Sequence, residues 1–307
     1  MPRSHLNQRL IQLQFPNVEA DDMHRVYGHV APCARGLLMA MQLLQTLEGV
    51  AQRLADTCFL VIPRRRPSRQ ALLDCKIISH RGEHDNRQVR ENTMAAFATV
   101  AEAGGWGIEF DVRWTRDLQP VVIHDPNTKR VFGIDLEVAA VDFSELRQQV
   151  PEIPTLEEVV ARFGGKVHLM VELKHDELGA VADRAERLGK IFAPLTAGED
   201  YHFLALQLDL FALVEFADHK ARLPVAELGL KVFSQAALTQ DLGGFCGQYL
   251  LLHQRLIQRH HQLGQKLGTG FIESRFCFYR ELNRGVDWIF TNRALELEAV
   301  RQELLQQ

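Results

Sequence analysis

The sequence has no cysteine framework. Its five cysteines are odd in number, lie far apart and include no C-x-x-C pair, so neither a disulfide network nor a cysteine-bound zinc site is indicated. A reducing compartment is the simplest interpretation of that pattern. The longest uncharged apolar stretch, Gly36 to Leu47, is too short to span a bilayer, and the N-terminal residues lack the pattern of a secretory signal. We therefore expect a cytoplasmic protein.

Several familiar binding and catalytic motifs are missing as well. The chain contains neither G-x-x-x-x-G-K-[ST] nor G-x-G-x-x-G, so nucleotide binding by those loops is not supported, and it lacks the G-x-S-x-G elbow of the usual serine hydrolase. Positive charge is also scarce, because residues 76–307 carry 26 Lys and Arg against 33 Asp and Glu. A nucleic-acid partner is therefore not expected.

Residues 1–75 differ from the rest of the chain. A basic stretch bounded by prolines, PRRRPSRQ, has the composition of a linker or exposed turn. Before it, apolar residues recur at helical spacing and predict one amphipathic helix. These residues are Leu37, Met41, Leu44, Leu47, Val50, Leu54 and Cys58. We predict an N-terminal helical extension that packs on the main domain, forms a homodimer contact or binds a membrane surface peripherally.

From Lys76 onward, short apolar runs alternate with helical patterns. The predicted strands are Lys76–Ser79, Gly107–Val112, Pro120–His124, Val167–Leu173, Tyr201–Leu206, Glu227–Val232, Tyr249–Leu252, Leu267–Ile272 and Trp288–Thr291. The predicted helices include Thr93–Ala103, Thr155–Phe163, Glu177–Lys190, Leu256–Leu263 and the terminal LEAVRQELLQQ. Thr155 and Glu158 form a capping box at the start of the second helix. About eight β-α alternations predict an α/β fold, a TIM (β/α)8 barrel, over residues 76–307.

Acidic side chains share one face of two predicted strands. Residues two apart in a strand point the same way, so Glu109 points with Asp111 in GIEFDV, and Glu172 with Lys174 in VELK. Inward carboxylates are costly unless a cation or a proton satisfies them. Three carboxylates without a cysteine cluster predict an oxygen-ligand site for Mg²⁺ or Ca²⁺. An internal network of salt bridges is the alternative.

Two histidines fall at the carboxyl ends of predicted strands, where the active sites of barrels are built. One of the rings, His80 or His124, can hold a proton while the other accepts one, and Asp125 could orient the second ring or begin a turn. Arg81 offers a fork of donors suited to a phosphate, and Lys174 a second positive charge. A metal, an arginine and a lysine suit a phosphate whose charge grows in the transition state. Phosphodiester cleavage is the predicted reaction.

The motifs HRG, ENTMAAF, IEFDV, VVIHD, IPTLEEV, VELK and GVDWIFTN stand in this order between Ile77 and Asn292. In these motifs the chain resembles the glycerophosphodiester phosphodiesterase family. The resemblance implies a barrel of the PLC-like phosphodiesterase type that hydrolyses glycerophosphodiesters to glycerol 3-phosphate and an alcohol. It also implies residue roles: His80, His124 and Arg81 in catalysis, Arg81 and Lys174 on the substrate phosphate, and Glu109, Asp111 and Glu172 as ligands of Mg²⁺ or Ca²⁺.

The chain departs from the family at positions that face the substrate. The loop EHDNRQVR between HRG and ENT is longer and more charged, and Gly270 and Phe271 stand where the family has Trp-Thr. The closing TD-x-P motif has become TNRA. Two alternatives to a glycerophosphodiesterase therefore stay open. One is a lysophospholipase D or sphingomyelinase D-like enzyme acting on a lysolipid, and the other is a barrel that binds a phosphorylated ligand or a protein without turnover.

Overall fold

The computed structural model describes residues 62–176, 179–226 and 229–307. The predicted amphipathic helix lies outside the described residues, and so do the homodimer and membrane contacts expected of it. Within the described ranges, no helix combines the length and the apolar character that crossing a bilayer requires.

Nine strands of the described chain form one sheet. They are β1 Lys76–His80, β2 Gly107–Trp114, β3 Pro120–Val122, β4 His168–Leu173, β5 Tyr201–Ala205, β6 Arg222–Ala226, β7 Gly244–Gln248, β8 Lys266–Gly270 and β9 Trp288–Thr291. Eight of them pair in parallel in the order β1-β2-β4-β5-β6-β7-β8-β9, and β9 pairs with β1 to close the barrel. β3 is antiparallel and extends β2. The predicted TIM (β/α)8 barrel is confirmed.

The helices follow the strands around the outside of the barrel. They are α1 Arg69–Asp74, α2 Met94–Glu102, α3 Lys129–Phe132, α4 Phe143–Gln149, α5 Leu156–Phe163, α6 Val181–Phe192, α7 Leu230–Thr239, α8 Gln254–His261, α9 Arg275–Arg284 and α10 Ala294–Leu305. Short 3-10 helices are Val138–Ala140, Leu208–Val214 and His219–Ala221. The predicted capping box is present, since the Thr155 hydroxyl accepts from the Glu158 amide and the Glu158 carboxylate accepts from the Thr155 amide.

Two predicted strands are shifted along the chain. The segment predicted as Glu227–Val232 enters α7 at Leu230, and the strand is β6 instead; the segment Tyr249–Leu252 follows β7 as a turn. Proline and glycine weaken the sequence pattern of a strand, and β6 contains Pro224 while β7 contains two glycines. A Cβ on Gly244 would lie 1.7 Å from the Lys266 carbonyl oxygen, so the close approach of β7 to β8 requires glycine there.

The lumen of the barrel is packed with apolar side chains along its middle. These are Ile78, Met170, Leu204, Leu223, Cys246, Trp288 and Phe290, with Trp106 and Val225 against them. Full burial of one such aliphatic side chain stabilises the fold by about 1.5–3 kcal/mol. Because side chains alternate along a strand, the residues two positions beyond Ile78 on β1 and Met170 on β4 reach the carboxyl end of the same lumen.

The basic stretch ahead of the barrel contacts its last helices. Residues 62–66 are exposed and irregular, and α1 begins at Arg69 with the Ser68 hydroxyl as its cap. Arg69 Nη1 donates to the Leu305 carbonyl at 2.9 Å, and Asn283 Nδ2 donates to the Arg65 carbonyl at 2.8 Å. The domain boundary between residues 75 and 76 stays a prediction, but helical structure that contacts the barrel begins before it.

Candidate active site

Three carboxylates meet at the carboxyl end of the lumen. Glu109 and Asp111 lie on one face of β2, and Glu172 is the register partner of Asp111 on β4. One oxygen from each of the three lies within 4.8 Å of the other two. Glu109 and Asp111 are each only 1% exposed. The alternation of side chains along two neighbouring strands therefore brings the predicted ligand set together.

Two cationic groups oppose these carboxylates. Lys174 Nζ lies 2.9 Å from Asp111 Oδ1 and contacts Glu172, while Arg81 Nε lies 3.2 Å from Asp111 Oδ2. Asn92 Nδ2 donates to Asp111 Oδ2 at 2.8 Å. Burial alone would raise the pKa of Asp111, but Lys174 and Arg81 hold it well below its ordinary value. Asp111 is therefore ionised, and the predicted salt-bridge network exists around it.

Glu109 is the member of the cluster that this network leaves unbalanced. Its Oε2 accepts from the Arg81 amide at 3.2 Å, but Oε1 is buried without a hydrogen-bond partner. Burial and the charges of Asp111 and Glu172 raise its pKa well above the ordinary value. Three carboxylates against two cations, with Glu109 Oε1 buried and without a hydrogen-bond partner, fit a divalent cation, whose preferred ligands are carboxylate oxygens.

Arg81 takes its position from an unusual turn. Its backbone has φ = 58°, a left-handed conformation uncommon outside glycine, directly after β1 ends. The turn aims both the main-chain amide and the guanidinium at the acidic groups, with Nη1 donating to Glu91 Oε1 at 2.8 Å. These contacts stabilise the turn.

His80 is held as a neutral ring at the end of β1. Its Nδ1 lies 2.7 Å from Asn292 Oδ1, and Asn292 Nδ2 donates to Glu273 Oε1 at 3.3 Å, which turns the amide oxygen toward the ring. The ring therefore donates through Nδ1, and Nε2 faces Glu109 Oε2 at 3.8 Å without a proton. Burial and the charge of Arg81 lower the pKa of His80 to about 3. The exposed Phe271 lies edge-on to it, with ring centroids 4.8 Å apart.

His124 is placed differently from the prediction. The expected strand Pro120–His124 stops at Val122 and is an antiparallel addition to β2, so His124 follows a hairpin strand and not a strand of the barrel. Its Nδ1 lies 2.6 Å from Asp125 Oδ1, and its main-chain oxygen accepts from Arg113 Nε at 2.6 Å. The Coulombic effect of His124 also contributes to lowering the pKa of Asp111. The hairpin thus brings the second imidazole to the acidic cluster.

A chain of ion pairs, which the sequence did not predict, runs from His124 to Arg81. Arg130 Nε donates to Asp125 Oδ2 at 2.5 Å, and Arg130 Nη2 donates to Glu91 Oε1 at 2.7 Å, the same oxygen that binds Arg81. Burial alone would raise the pKa of Glu91, but the hydrogen bond from Arg130 and the charge of Arg81 lower it to about 2. Glu91 is the first residue of the ENTMAAF motif and could have been found from it. Arg130 lies in none of the motifs quoted from the sequence.

Comparisons with known proteins identify relatives of this chain in sequence. The chain is 36% identical over 110 residues to a glycerophosphodiester phosphodiesterase of Caldanaerobacter subterraneus, covering 32% of this chain and 44% of that protein. It is 41% identical over 71 residues to human Lysophospholipase D GDPD1, covering 23% and 22%. These matches span from 22% to 59% of the length of the curated relatives.

A solved structure shows the same fold. An Oleispira antarctica phosphodiesterase in complex with the product sn-glycerol-3-phosphate superposes with a TM-score of 0.64 at 20% identity, over 76% of this chain and 98% of that one. The sequence profile described as Glycerophosphoryl diester phosphodiesterase family matches residues 80–296, which is most of the chain. That range contains every residue of the candidate active site. The chain belongs to the glycerophosphoryl diester phosphodiesterase family.

Proposed function

We propose that this protein hydrolyses glycerophosphodiesters to glycerol 3-phosphate and an alcohol, with His80 and His124 moving the two protons. Family membership and the cluster of acidic, basic and imidazole groups at one end of the lumen support the proposal. The observation that carries it is the unequal environment of the two rings: an amide oxygen holds one Nδ1 and a carboxylate holds the other. Such a difference supports opposite proton-transfer roles for the two rings.

His80 is the general base. The bond from Nδ1 to Asn292 leaves Nε2 as a proton acceptor, and a pKa lowered to about 3 by burial keeps the ring neutral at pH 7. Nε2 takes the proton of the attacking hydroxyl. That hydroxyl belongs to a water molecule or to the glycerol of the substrate itself; in the second case a cyclic phosphate forms first, and water then opens it to glycerol 3-phosphate. The oxygen of that hydroxyl forms the new bond to phosphorus.

His124 is the general acid. The carboxylate of Asp125 accepts from Nδ1 and orients the ring, and Arg130 fixes that carboxylate in place. Nε2 gives its proton to the oxygen of the leaving alcohol as the bond from that oxygen to phosphorus breaks. One proton is taken and one is given, so the reaction is balanced.

Arg81 and Lys174 stabilise the phosphoryl oxygens. Both side chains lie against the acidic cluster, so their charge is already oriented before the substrate arrives. Glu109, Asp111 and Glu172 would hold a divalent cation, Mg²⁺ or Ca²⁺, which when bound supplies Lewis-acid stabilisation of the phosphate charge. The orphaned Glu109 Oε1 supports this use of the cluster.

The test compares two leaving groups. Wild type, His80→Ala and His124→Ala are assayed on glycerophosphocholine and on a glycerophosphodiester of 4-nitrophenol, in Mg²⁺ and in Ca²⁺. A phenolate leaves without a proton, so His124→Ala should recover most of its rate on the second substrate, whereas His80→Ala should stay slow on both. His219→Ala, at an exposed site outside the lumen, is the control.

The reverse pattern would exchange the two roles. Equal loss in both variants on both substrates would refute the division into acid and base. Absence of turnover by wild type on either substrate with either metal would reject the hydrolase and leave a barrel that binds a phosphorylated ligand without turnover.

Hydrolysis of a lysolipid is a second candidate, favoured by the mouth of the site. Phe271 is 40% exposed while its ring touches His80, so it offers an apolar surface directly beside the proposed base. An acyl chain could lie on that surface. If so, Phe271→Ser should lower kcat/KM for lysophosphatidylcholine far more than for glycerophosphocholine, and Leu263→Ser, an exposed apolar residue elsewhere, should change neither. Equal loss on both substrates would contradict the lysolipid hypothesis.

A further inference from the structure

A second cavity lies outside the lumen, between α7 and α8. Its volume is about 430 Å³, and none of its lining residues belongs to the acidic cluster or to the two imidazoles of the candidate active site. The lining residues are Leu230, Lys231, Ser234, Gln235, His253, Arg255, Leu256 and Arg259. They occupy mainly the N-terminal halves of both helices, which lie toward the same end of the barrel as the active site.

Three cations surround this cavity and have no acidic partner among the residues that the structure describes. Lys231, Arg255 and Arg259 line it, and no carboxylate of those described residues does. Across residues 62–176, 179–226 and 229–307, no acidic side chain forms an ion pair with any of the three, whereas most arginines near the active site are paired. An uncompensated group of three positive charges around a concave surface attracts a multiply charged anion.

The positions of two of these cations oppose helix stability. Lys231 is the second residue of α7 and Arg255 the second residue of α8, and neither helix has an acidic residue in its first turn. The N-terminus of a helix carries partial positive charge, so a cation there is repelled and an anion is stabilised. An anion in the cavity would relieve the repulsion at both helices.

The wall of the cavity is fixed by a buried chain of hydrogen bonds. Gln265 Nε2 donates to the Ala237 carbonyl at 2.7 Å and to the Leu242 carbonyl at 2.9 Å, so its Oε1 must accept from His260 Nδ1 at 2.6 Å. His260 Nε2 then accepts from the Ser234 hydroxyl at 2.8 Å. The Ser234 hydroxyl therefore donates its proton to His260 and not into the cavity. A ligand would accept its hydrogen bonds from the cationic side chains.

We propose that this cavity binds a phosphate group, carried either by a soluble phosphorylated molecule or by the headgroup of an anionic lipid. Two planar guanidinium forks and one ammonium match a phosphate better than a single carboxylate. Val232 and Leu251, next to the cavity in sequence, are 47% and 39% exposed, and they would contact acyl chains if the phosphate belongs to a bilayer. The proposal is independent of the function proposed for the active site.

Calorimetric titration of the full chain with inorganic pyrophosphate tests the proposal. The double variant Lys231→Gln/Arg259→Gln is compared with Arg162→Gln/Lys166→Gln, which removes the same charge from exposed positions near the end of α5. Wild type and the control should show one more binding site than the pocket variant, or an affinity for that site at least about tenfold higher, since each charge-assisted hydrogen bond contributes about that factor. Unchanged glycerophosphodiester hydrolysis shows that the pocket variant is folded.

Sedimentation with vesicles of phosphatidylglycerol, against vesicles of phosphatidylcholine, separates the two sources of phosphate. Loss of vesicle binding in the pocket variant alone supports a lipid headgroup, and loss of pyrophosphate binding alone supports a soluble ligand. If neither probe binds wild type, or if the pocket variant and the control bind both probes equally, the proposal is wrong.

Discussion

At the amino end of the barrel lumen, His168 Nε2 lies 2.7 Å from His202 Nδ1 while Trp106 stacks on one ring and Trp288 meets the other edge-on. At the carboxyl end of the same lumen, two imidazoles lie beside three carboxylates and two cations. The side chains alternate along the same strands at both ends, and β4 carries His168 at its start and Glu172 near its end. What differs is how completely each end satisfies its own polar groups.

At the amino end, the two imidazoles are hydrogen-bonded to each other and to the main chain. His168 Nδ1 donates to the Glu199 carbonyl at 2.8 Å, so its Nε2 accepts the proton that His202 Nδ1 donates. Burial lowers the pKa of His168 to about 4, and burial together with the charge of His168 lowers that of His202 to about 3. Both rings are therefore neutral, and they fill the amino end of the lumen as packed side chains. At the carboxyl end, by contrast, Glu109 Oε1 is buried without a hydrogen-bond partner.

Removing one imidazole from each end should sharpen this comparison most. His80→Ala should lower kcat on glycerophosphocholine by about 10² to 10⁴, the usual contribution of a positioned general base. His202→Asn, which keeps a donor toward His168, should leave kcat within about twofold because it lies among packed residues far from the chemistry. Steady-state kinetics of both variants check the expectation. Comparable losses in the two variants would show that the lumen acts as one electrostatic unit.

Chelation should affect the carboxyl end alone. Treatment with EDTA should lower the hydrolysis rate by about a hundredfold, with recovery on adding Mg²⁺ or Ca²⁺, because the three carboxylates would then lack their counter-charge. Glu172→Gln should weaken cation binding and so raise the concentration of metal needed for half-maximal rate. A rate insensitive to EDTA and to added metal would show that the cluster is a network of salt bridges and not a metal site.

Arg130 tests whether the chain of ion pairs positions His124. Arg130→Lys keeps the charge but cannot bridge Glu91 and Asp125 with one planar fork, so kcat should fall about tenfold with little change in KM. The loss should shrink on a 4-nitrophenyl substrate, where no general acid is needed. Arg147→Lys, in an exposed pair with Glu158, is the matched control. An equal loss on both substrates would mean that Arg130 serves only the fold.

The histidine pair at the amino end should make stability depend on pH. Because the folded-state pKa values lie below the ordinary value near 6.5, the unfolded chain binds more protons, and the free energy of unfolding should fall as pH drops from about 6.5 toward 4. In His202→Asn this loss should be smaller, by roughly 1–2 kcal/mol. Chemical denaturation at pH 7 and pH 4.5 measures it. Identical losses in wild type and variant would contradict the neutral pair.

Local pattern was enough for the parts of the fold whose residues signal their own state. The capping box at Thr155 and the β-branched run at Trp288–Thr291 are local features, and both are present as predicted. The pattern failed at β6, where Pro224 weakens the strand signal, and at β7, where the close approach of β8 requires glycine at position 244. The apolar residues that follow β6 and β7 in the sequence have the same pattern as a strand and were predicted as strands. A pattern read along the sequence does not detect where two backbones come close together.

The same division applies to the site. That Glu109 and Asp111 share a face follows from the two-residue repeat of a strand, and the sequence alone predicts it. The contact of His80 with Asn292, 212 positions away, follows only from barrel closure between β1 and β9. Arg130 likewise gains its role from the loop that returns it to Glu91.

The sequence by itself determined the alternation of strands and helices, the inward carboxylates and the chemical types at the site, because each depends on residues close together in the chain. The tertiary structure alone decided which ring nitrogen carries a proton, which charge is left unbalanced and where three cations meet outside the barrel. Those properties depend on burial and on distances between atoms that the chain brings together only when it folds.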